Sequence, residues 1–126
     1  MPRILVMEDD DALRGLVVRV LTSAGYEVVA AADGTTGLRL WREGGADLVL
    51  TDLHMPDTNG IEVMLELRAF AATLPVIAMS GGQRALDLDL LGSAKLLGAV
   101  SVLTKPFTKD DLLAAVAAGL RFGLTG

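Results

Sequence analysis

Five short apolar runs alternate along the chain with longer segments in which apolar residues recur at helical spacing. The runs predict strands over Ile4–Met7, Tyr26–Ala31, Leu48–Leu50, Val76–Met79 and Val100–Leu103. Within the runs, apolar residues stand at consecutive rather than alternate positions, which is typical of strands that helices cover on both faces. The pattern therefore predicts a parallel sheet.

The segments between and after these runs predict five helices. Apolar residues of the first one recur at i, i+3, i+4, i+7 and i+8, at Leu13, Leu16, Val17, Val20 and Leu21. Gly25 follows as a C-cap. The next three helices are predicted over about Thr35–Glu43, about Ile61–Ala72 and within Arg84–Leu97, and the last one follows Thr108. Thr108 has the side chain of a helix N-cap.

The alternation of strand and helix predicts an α/β fold of the (βα)5 type. Right-handed crossovers between parallel strands give an open, doubly wound sheet with helices on both faces. Sheets of this class bind ligands beyond the carboxyl ends of their strands. At 126 residues, the chain has the length of one domain.

Composition narrows the class of protein further. With 52% hydrophobic and 21% charged residues, the chain is too apolar to be disordered, yet no apolar run is long enough for a membrane helix. It has neither a signal-peptide pattern nor cysteine, so we expect a cytoplasmic protein without membrane insertion. A net charge of −5 disfavours direct binding to nucleic acid.

Polar residues follow four of the predicted strands at their carboxyl ends. Glu8 and Asp9 come after the first strand and Asp52 after the third. Ser80 and Lys105 end the fourth and fifth strands. Because parallel strands end at the same edge, these five side chains are expected to meet at one mouth.

Three neighbouring carboxylates repel each other, and a hard divalent cation would relieve that repulsion. Oxygen ligands without His or Cys favour Mg²⁺, Mn²⁺ or Ca²⁺ over zinc. The ammonium of Lys105 and the hydroxyl of Ser80 suit phosphoryl oxygens, which indicates phosphoryl transfer with Asp52 as the nucleophile. Taken singly, each residue has an ordinary structural explanation, and Asp10 and Asp11 are predicted to cap the first helix.

The chain resembles the receiver domain of two-component response regulators over essentially its whole length. The resemblance rests on residues 4–10, on Asp52-Leu53-His54-Met55-Pro56 with Gly60, on residues 75–81 and on Lys105-Pro106-Phe107. It implies a flavodoxin-like sheet with strand order 2-1-3-4-5. We also expect residues 1–126 to form one receiver domain, with no output domain in this chain, which is either a stand-alone receiver or a fragment.

The same resemblance implies a role for each residue of the acidic group. Asp52 would accept a phosphoryl group from a sensor histidine kinase or a histidine phosphotransfer protein. Glu8, Asp9 and Asp52 would hold Mg²⁺ together with the backbone carbonyl of His54, and Mn²⁺ could substitute. The side chain of His54 is expected to be an exposed loop histidine.

Ser80 and Lys105 would bind the phosphoryl oxygens, again by resemblance, and the Lys105-Pro106 peptide bond would be cis. Many receiver domains carry an aromatic residue three positions before the lysine. Val102 stands at that position here, so the aromatic half of the usual switch is missing and the effect of Val102 is left open.

The resemblance also implies a signalling protein rather than an enzyme, one that assists its own phosphorylation and dephosphorylation. Phosphorylation would shift an equilibrium and change a surface for a downstream protein partner. By analogy, that surface lies on the fourth helix, the fifth strand and the fifth helix.

Other functions fit the residues less well. A pseudo-receiver that binds partners without phosphorylation is the main alternative, although such variants usually lose the acceptor or the lysine. A flavin carrier would place its phosphate beside four consecutive acids, Glu8 to Asp11, which would repel it. An aspartyl phosphatase would need a second Asp where this chain has His54.

Overall fold

Five parallel strands form one sheet in the computed structural model, which describes residues 1–55, 57, 60–81, 92 and 94–125. The strands are β1 (Arg3–Met7), β2 (Glu27–Ala31), β3 (Leu48–Asp52), β4 (Val76–Ser80) and β5 (Ser101–Thr104). The helices are α1 (Asp11–Ser23), α2 (Gly34–Gly44), α3 (Gly60–Phe70) and a C-terminal helix (Lys109–Thr125). Within the described ranges, no helix has the length and apolar character needed to cross a membrane.

The strand order is β2-β1-β3-β4-β5, and every neighbouring pair is parallel, as predicted. The register of the pairs decides which residues meet at the carboxyl edge. Met7 lies opposite Thr51, so the next residues, Glu8 and Asp52, leave the sheet side by side. Ser80 lies opposite Thr104 of β5, and Lys105 follows directly. The predicted residues of the site therefore leave the sheet at one edge.

Two separate apolar layers cover the faces of the sheet, which explains why the strands are apolar at consecutive positions. Ile4 and Val6 of β1 point to the layer that contains α1 and the C-terminal helix. Leu5 and Met7, which alternate with them, point to the layer that contains α3 and parts of α2. All four side chains are almost completely buried. Burial of both faces fixes the strand register, because a slip of one residue would exchange the two layers.

The helix ends follow the predicted capping chemistry. Asp10 is the N-cap of α1, and its Oδ1 accepts a hydrogen bond from the amide of Leu13 at 2.9 Å. Gly25 follows that helix with a φ of 97°, a left-handed conformation that favours glycine. Before the C-terminal helix, the Thr108 hydroxyl accepts from the Asp111 amide while the Asp111 carboxylate accepts from the Thr108 amide. This reciprocal pair confirms the predicted N-cap.

The predicted end of α3 at Ala72 is wrong by two residues, because the helix ends at Phe70. The guanidinium of Arg68 donates to the carbonyl oxygens of Ala71 and Leu74, at 3.3 and 2.6 Å. These bonds hold the chain in a turn immediately after the helix. Sequence periodicity could not reveal this stop, because the alanines after Phe70 are themselves good helix formers.

The predicted fourth helix falls mostly outside the described residues. Within that part of the chain, residues 94–96 are helical, and the buried side chain of Ala94 packs into the same apolar layer as α3.

Candidate functional site

Three carboxylates lie together at the carboxyl edge of the sheet, as the sequence predicts. One oxygen from each of Glu8, Asp9 and Asp52 lies within 4.8 Å of the other two. Glu8 has no exposed surface and Asp52 is 5% exposed, whereas Asp9 is exposed. The cluster therefore has two buried acids from adjacent strands and one acid that faces solvent.

Lys105 brings a positive charge to the two buried acids. Its Nζ lies 2.7 Å from Oε1 of Glu8 and 3.2 Å from Oδ2 of Asp52. Burial alone would lower the pKa of Lys105, but the two carboxylates outweigh this effect and raise the pKa above its ordinary value. The Lys105-Pro106 peptide bond is cis, as the resemblance implied.

The backbone at the start of α1 holds Glu8 in place. Its Oε2 accepts a hydrogen bond from the amide of Asp10 at 3.1 Å, and Arg14 donates to the Glu8 carbonyl oxygen at 2.9 Å. Burial raises the pKa of the Glu8 carboxyl to about 7, although the hydrogen bond from Lys105 opposes the shift, and the charge of Asp52 raises it further. Near neutral pH, Glu8 is therefore only partly ionised, and a bound cation would favour its ionised form.

The raised pKa of Glu8 predicts that the metal-free protein loses stability as pH rises. The folded protein holds the Glu8 proton up to about pH 7, whereas the unfolded chain releases it near pH 4.5. The stabilisation is therefore present below pH 4.5 and is lost through pH 7, with a size on the order of 2–3 kcal/mol. Glu8→Gln should abolish this part of the pH dependence and should make the protein more stable than wild type at pH 8.

Denaturant unfolding in a chelating buffer at pH 5 and pH 8 measures this effect. Glu43→Gln is the matched control, because Glu43 is an exposed carboxylate on α2 that only approaches Arg39 at 3.9 Å. This control should retain the wild-type pH dependence. A Glu8→Gln profile parallel to that of wild type would contradict the prediction.

The backbone after β3 orients Asp52. The amide of His54 donates to Oδ1 of Asp52 at 3.3 Å, while Oδ2 faces Lys105. Each oxygen of the carboxylate thus has its own partner. His54 itself is exposed, as the sequence analysis expects.

Ser80 ends β4, the strand next to β3, and only 2% of its surface is exposed. Its carbonyl oxygen accepts a hydrogen bond from the Lys105 amide at 2.7 Å, so the ends of β4 and β5 are joined where both residues leave the sheet. Val102, at the position that is often aromatic, is half-buried and packs against the apolar layer of α3.

The contacts of two residues around the site were not predicted from the sequence. Arg14 binds the Glu8 carbonyl oxygen, and Asp57 binds the first turn of α2. Arg14 lies in the first turn of α1, shortly after Glu8 and Asp9 in sequence, and this position could have indicated a contact with the site. Asp57 gives no such signal, because its partners Gly34 and Thr35 are more than twenty residues away in sequence.

The donor set suits a hard divalent cation. Three carboxylates against one ammonium leave an excess of negative charge at a partly buried point. Burial is the main cause of the raised pKa of Glu8, and the charge of Asp52 adds to it. All donors are oxygens, which favours Mg²⁺, Mn²⁺ or Ca²⁺ over zinc. The residues present therefore fit the predicted metal.

Comparison with known sequences identifies similar proteins over nearly the whole chain. A model of the response regulator receiver domain family matches residues 4–117. The uncharacterized transcriptional regulatory protein YrkP of Bacillus subtilis is 38% identical over 119 residues, which cover 94% of this chain and 49% of the relative. The cell cycle transcriptional regulator CtrA of Caulobacter vibrioides is 34% identical, with coverage of 94% and 50%. The chain thus spans about half the length of these relatives.

Solved structures of receiver domains show the same architecture over nearly the whole of both chains. A response regulator receiver domain protein from Clostridium thermocellum superposes with a TM-score of 0.88 at 31% identity, covering 96% of this chain and 95% of that one. A CheY-like receiver domain protein from Methanospirillum hungatei gives a TM-score of 0.92 at 26% identity, with coverage of 99% and 98%.

Proposed function

Because the chain belongs to the response regulator receiver domain family of two-component signalling, we propose that it accepts one phosphoryl group on Asp52 in a Mg²⁺-dependent reaction. The arrangement around Asp52 carries the proposal. One carboxylate oxygen takes the amide of His54, the other faces the ammonium of Lys105, and two further acids lie within 4.8 Å. A candidate acceptor, carboxylates that could hold a cation and a lysine suited to phosphoryl oxygens thus lie close together.

Glu8, Asp9 and Asp52 would hold Mg²⁺, and the backbone carbonyl of His54 is proposed as a further ligand. Mn²⁺ would substitute, because it accepts the same oxygen donors. When bound, the ion supplies positive charge that lets an anionic phosphoryl donor approach an anionic carboxylate. Glu8 contributes from a fully buried position, so that charge would favour its ionised form.

The proposed reaction is a displacement at phosphorus. An oxygen of Asp52 bonds to the phosphorus while the phosphorus–nitrogen bond of a donor phosphohistidine breaks, and the histidine leaves. Lys105 and Ser80 would bind the oxygens of the transferred group and stabilise the charge that develops there. With acetyl phosphate as the donor, acetate is the leaving group.

Receiver domains act as parts of signalling regulators, and they interact with histidine kinases and downstream effector domains. For this chain we propose a sensor histidine kinase or a histidine phosphotransfer protein as the donor. The chain would assist its own phosphorylation and dephosphorylation rather than turn over a separate substrate.

The proposed partner surface comprises the fourth helix, β5 and the C-terminal helix. Leu96, in the helical stretch before β5, is 90% exposed, and Phe122 of the C-terminal helix is 59% exposed. Large exposed apolar side chains on two of the three elements support a protein-binding role.

We further propose that the protein is cytoplasmic and that this chain does not itself bind nucleic acid. The support is the net charge of −5, which would oppose a phosphate backbone. The names of similar proteins include transcriptional regulators, of which this chain spans about half. Any role in transcription would then pass through a partner or through protein outside this sequence.

Intact-mass spectrometry after incubation with acetyl phosphate tests the proposed function. We expect one phosphoryl increment in the presence of Mg²⁺ and none in chelating buffer. Hydroxylamine should remove the increment, because it cleaves acyl phosphates and leaves phosphate esters of Ser and Thr intact.

An increment that forms without Mg²⁺ or resists hydroxylamine would contradict the proposal. If no increment forms, beryllofluoride binding followed by ¹⁹F NMR decides between two explanations. A bound complex would support a short-lived phosphoaspartate, whereas no complex would favour the pseudo-receiver.

A further inference from the structure

We propose that Asp57 is a positioning residue for the phosphoacceptor Asp52. Its carboxylate binds the first turn of α2, and this contact holds the loop after Asp52 so that the His54 amide stays hydrogen-bonded to Asp52. The inference rests on the proposed function of Asp52. It adds a residue outside the acidic cluster whose effect on the reaction passes through the loop backbone.

Three donors converge on the Asp57 carboxylate. Oδ1 accepts from the amide of Gly34 at 3.2 Å. Oδ2 accepts from the amide of Thr35 at 3.0 Å and from the Thr35 hydroxyl at 2.5 Å. These bonds join segments 22 and 23 residues apart, so they connect two different βα units of the fold.

The turn of α2 that receives Asp57 is itself firmly held. Asp33 caps the helix and accepts from the Thr36 amide at 2.6 Å. Gly37 lies so close to β1 that a Cβ built on it would stand 2.2 Å from the sulfur of Met7. Met7 directly precedes Glu8, so the turn rests on the strand that supplies the first acids of the site.

The other end of the tether is the loop that leaves β3. The His54 amide donates to Asp52, and the Gly60 amide donates to the Leu53 carbonyl oxygen at 3.1 Å where α3 begins. Met55 is buried in the apolar layer and fixes the depth of the loop. The directional bonds of Asp57 add what apolar packing lacks, namely a defined orientation of the backbone.

Charge favours this tether. A carboxylate beside the amino end of a helix meets the positive end of the helix dipole. The hydrogen bond from the Thr35 hydroxyl, with the two amides, lowers the pKa of Asp57. Asp57 therefore stays ionised at the pH at which Asp52 would react. Two of the three bonds are solvent-exposed and the third is part-buried. Their loss should therefore reduce the population of the competent loop rather than unfold the protein.

The test compares Asp57→Ala with Asp47→Ala in the full chain. Asp47 precedes β3, at the opposite edge of the sheet, and accepts a hydrogen bond from the Arg3 amide at 2.7 Å. Each variant loses an exposed aspartate that accepts hydrogen bonds from backbone amides. Of the two aspartates, only Asp57 connects the loop after β3 to α2. Asp57→Asn retains an acceptor oxygen and should recover part of the wild-type behaviour.

Three quantities are measured for each protein: the initial phosphorylation rate with acetyl phosphate, the Mg²⁺ dissociation constant by calorimetry, and the amide resonance of His54 in the metal-free protein. For Asp57→Ala we expect a roughly fivefold lower rate, a weaker Mg²⁺ affinity and a shifted His54 resonance, because the competent loop is less populated. Asp47→Ala should retain all three wild-type values, even where its free energy of unfolding falls as much.

A wild-type rate and an unmoved His54 resonance in Asp57→Ala would overturn the role of Asp57. Equal losses in Asp57→Ala and Asp47→Ala, in proportion to stability, would overturn it as well. Wild-type protein that takes up no phosphoryl group and binds no Mg²⁺ would instead overturn the proposed function, and this role with it.

Discussion

Replacement of Asp52 by Asn is expected to abolish phosphoryl uptake from acetyl phosphate, to below about one hundredth of the wild-type rate. The amide has no anionic oxygen to bond to phosphorus, and the site also loses one of its three carboxylates. The fold should survive, because the change removes repulsion between Asp52 and the buried Glu8. In chelating buffer at pH 8, we expect the variant to unfold at the same denaturant concentration as wild type or a higher one.

Intact mass over time measures this prediction, with Asp47→Asn as the control. Asp47 lies at the edge of the sheet opposite the site, so its variant should take up the phosphoryl group at the wild-type rate. Continued uptake by Asp52→Asn, of a product that hydroxylamine cleaves, would place the acceptor on another carboxylate.

Replacement of Lys105 by Met is expected to slow phosphorylation by about a hundredfold, the lower end of the effect of removing one donor that stabilises developing charge. Met keeps most of the length of the side chain, but it removes the ammonium that faces both Glu8 and Asp52. The two acids then lose their shared partner, so the pKa of Glu8 should rise further. The variant should therefore lose stability at pH 8 more than at pH 5.

Lys109→Met provides the matched control for Lys105→Met. Lys109 is an exposed lysine at the start of the C-terminal helix, four residues further along the chain. The control should keep the wild-type rate and pH profile. A wild-type rate in Lys105→Met would show that this ammonium does not assist the transfer.

The positions of the main site residues could be predicted because parallel strands end at one edge. Once β1, β3, β4 and β5 were identified, Glu8, Asp52, Ser80 and Lys105 had to leave the sheet together. The apolar runs that define these strands are buried on both faces, so packing and local pattern agree. The strand order was predicted correctly from the family resemblance, and the cap at Thr108 from capping preference.

Contacts between distant segments could not be predicted in this way. The bonds of Asp57 to Thr35 and of Arg68 to the turn after α3 depend on how loops approach each other in space. Neither periodicity nor capping preference encodes such a distance. The closer approach of Lys105 to Glu8 than to Asp52 was equally hidden, because sequence predicts a shared edge and not the distances within it.

The register of the sheet sets the tolerance of this site to insertions and deletions. Asp52 lies opposite Met79, and Ser80 lies opposite Thr104, each at the last paired position of its strand. One residue of strand spans about 3.3 Å and reverses the direction of the side chain. A single deletion within β3 or β5 would therefore separate Asp52 from Lys105 and exchange the two apolar layers. An insertion between Gly44 and Gly45, beyond α2, would lengthen a connection far from the reacting groups and leave their spacing intact.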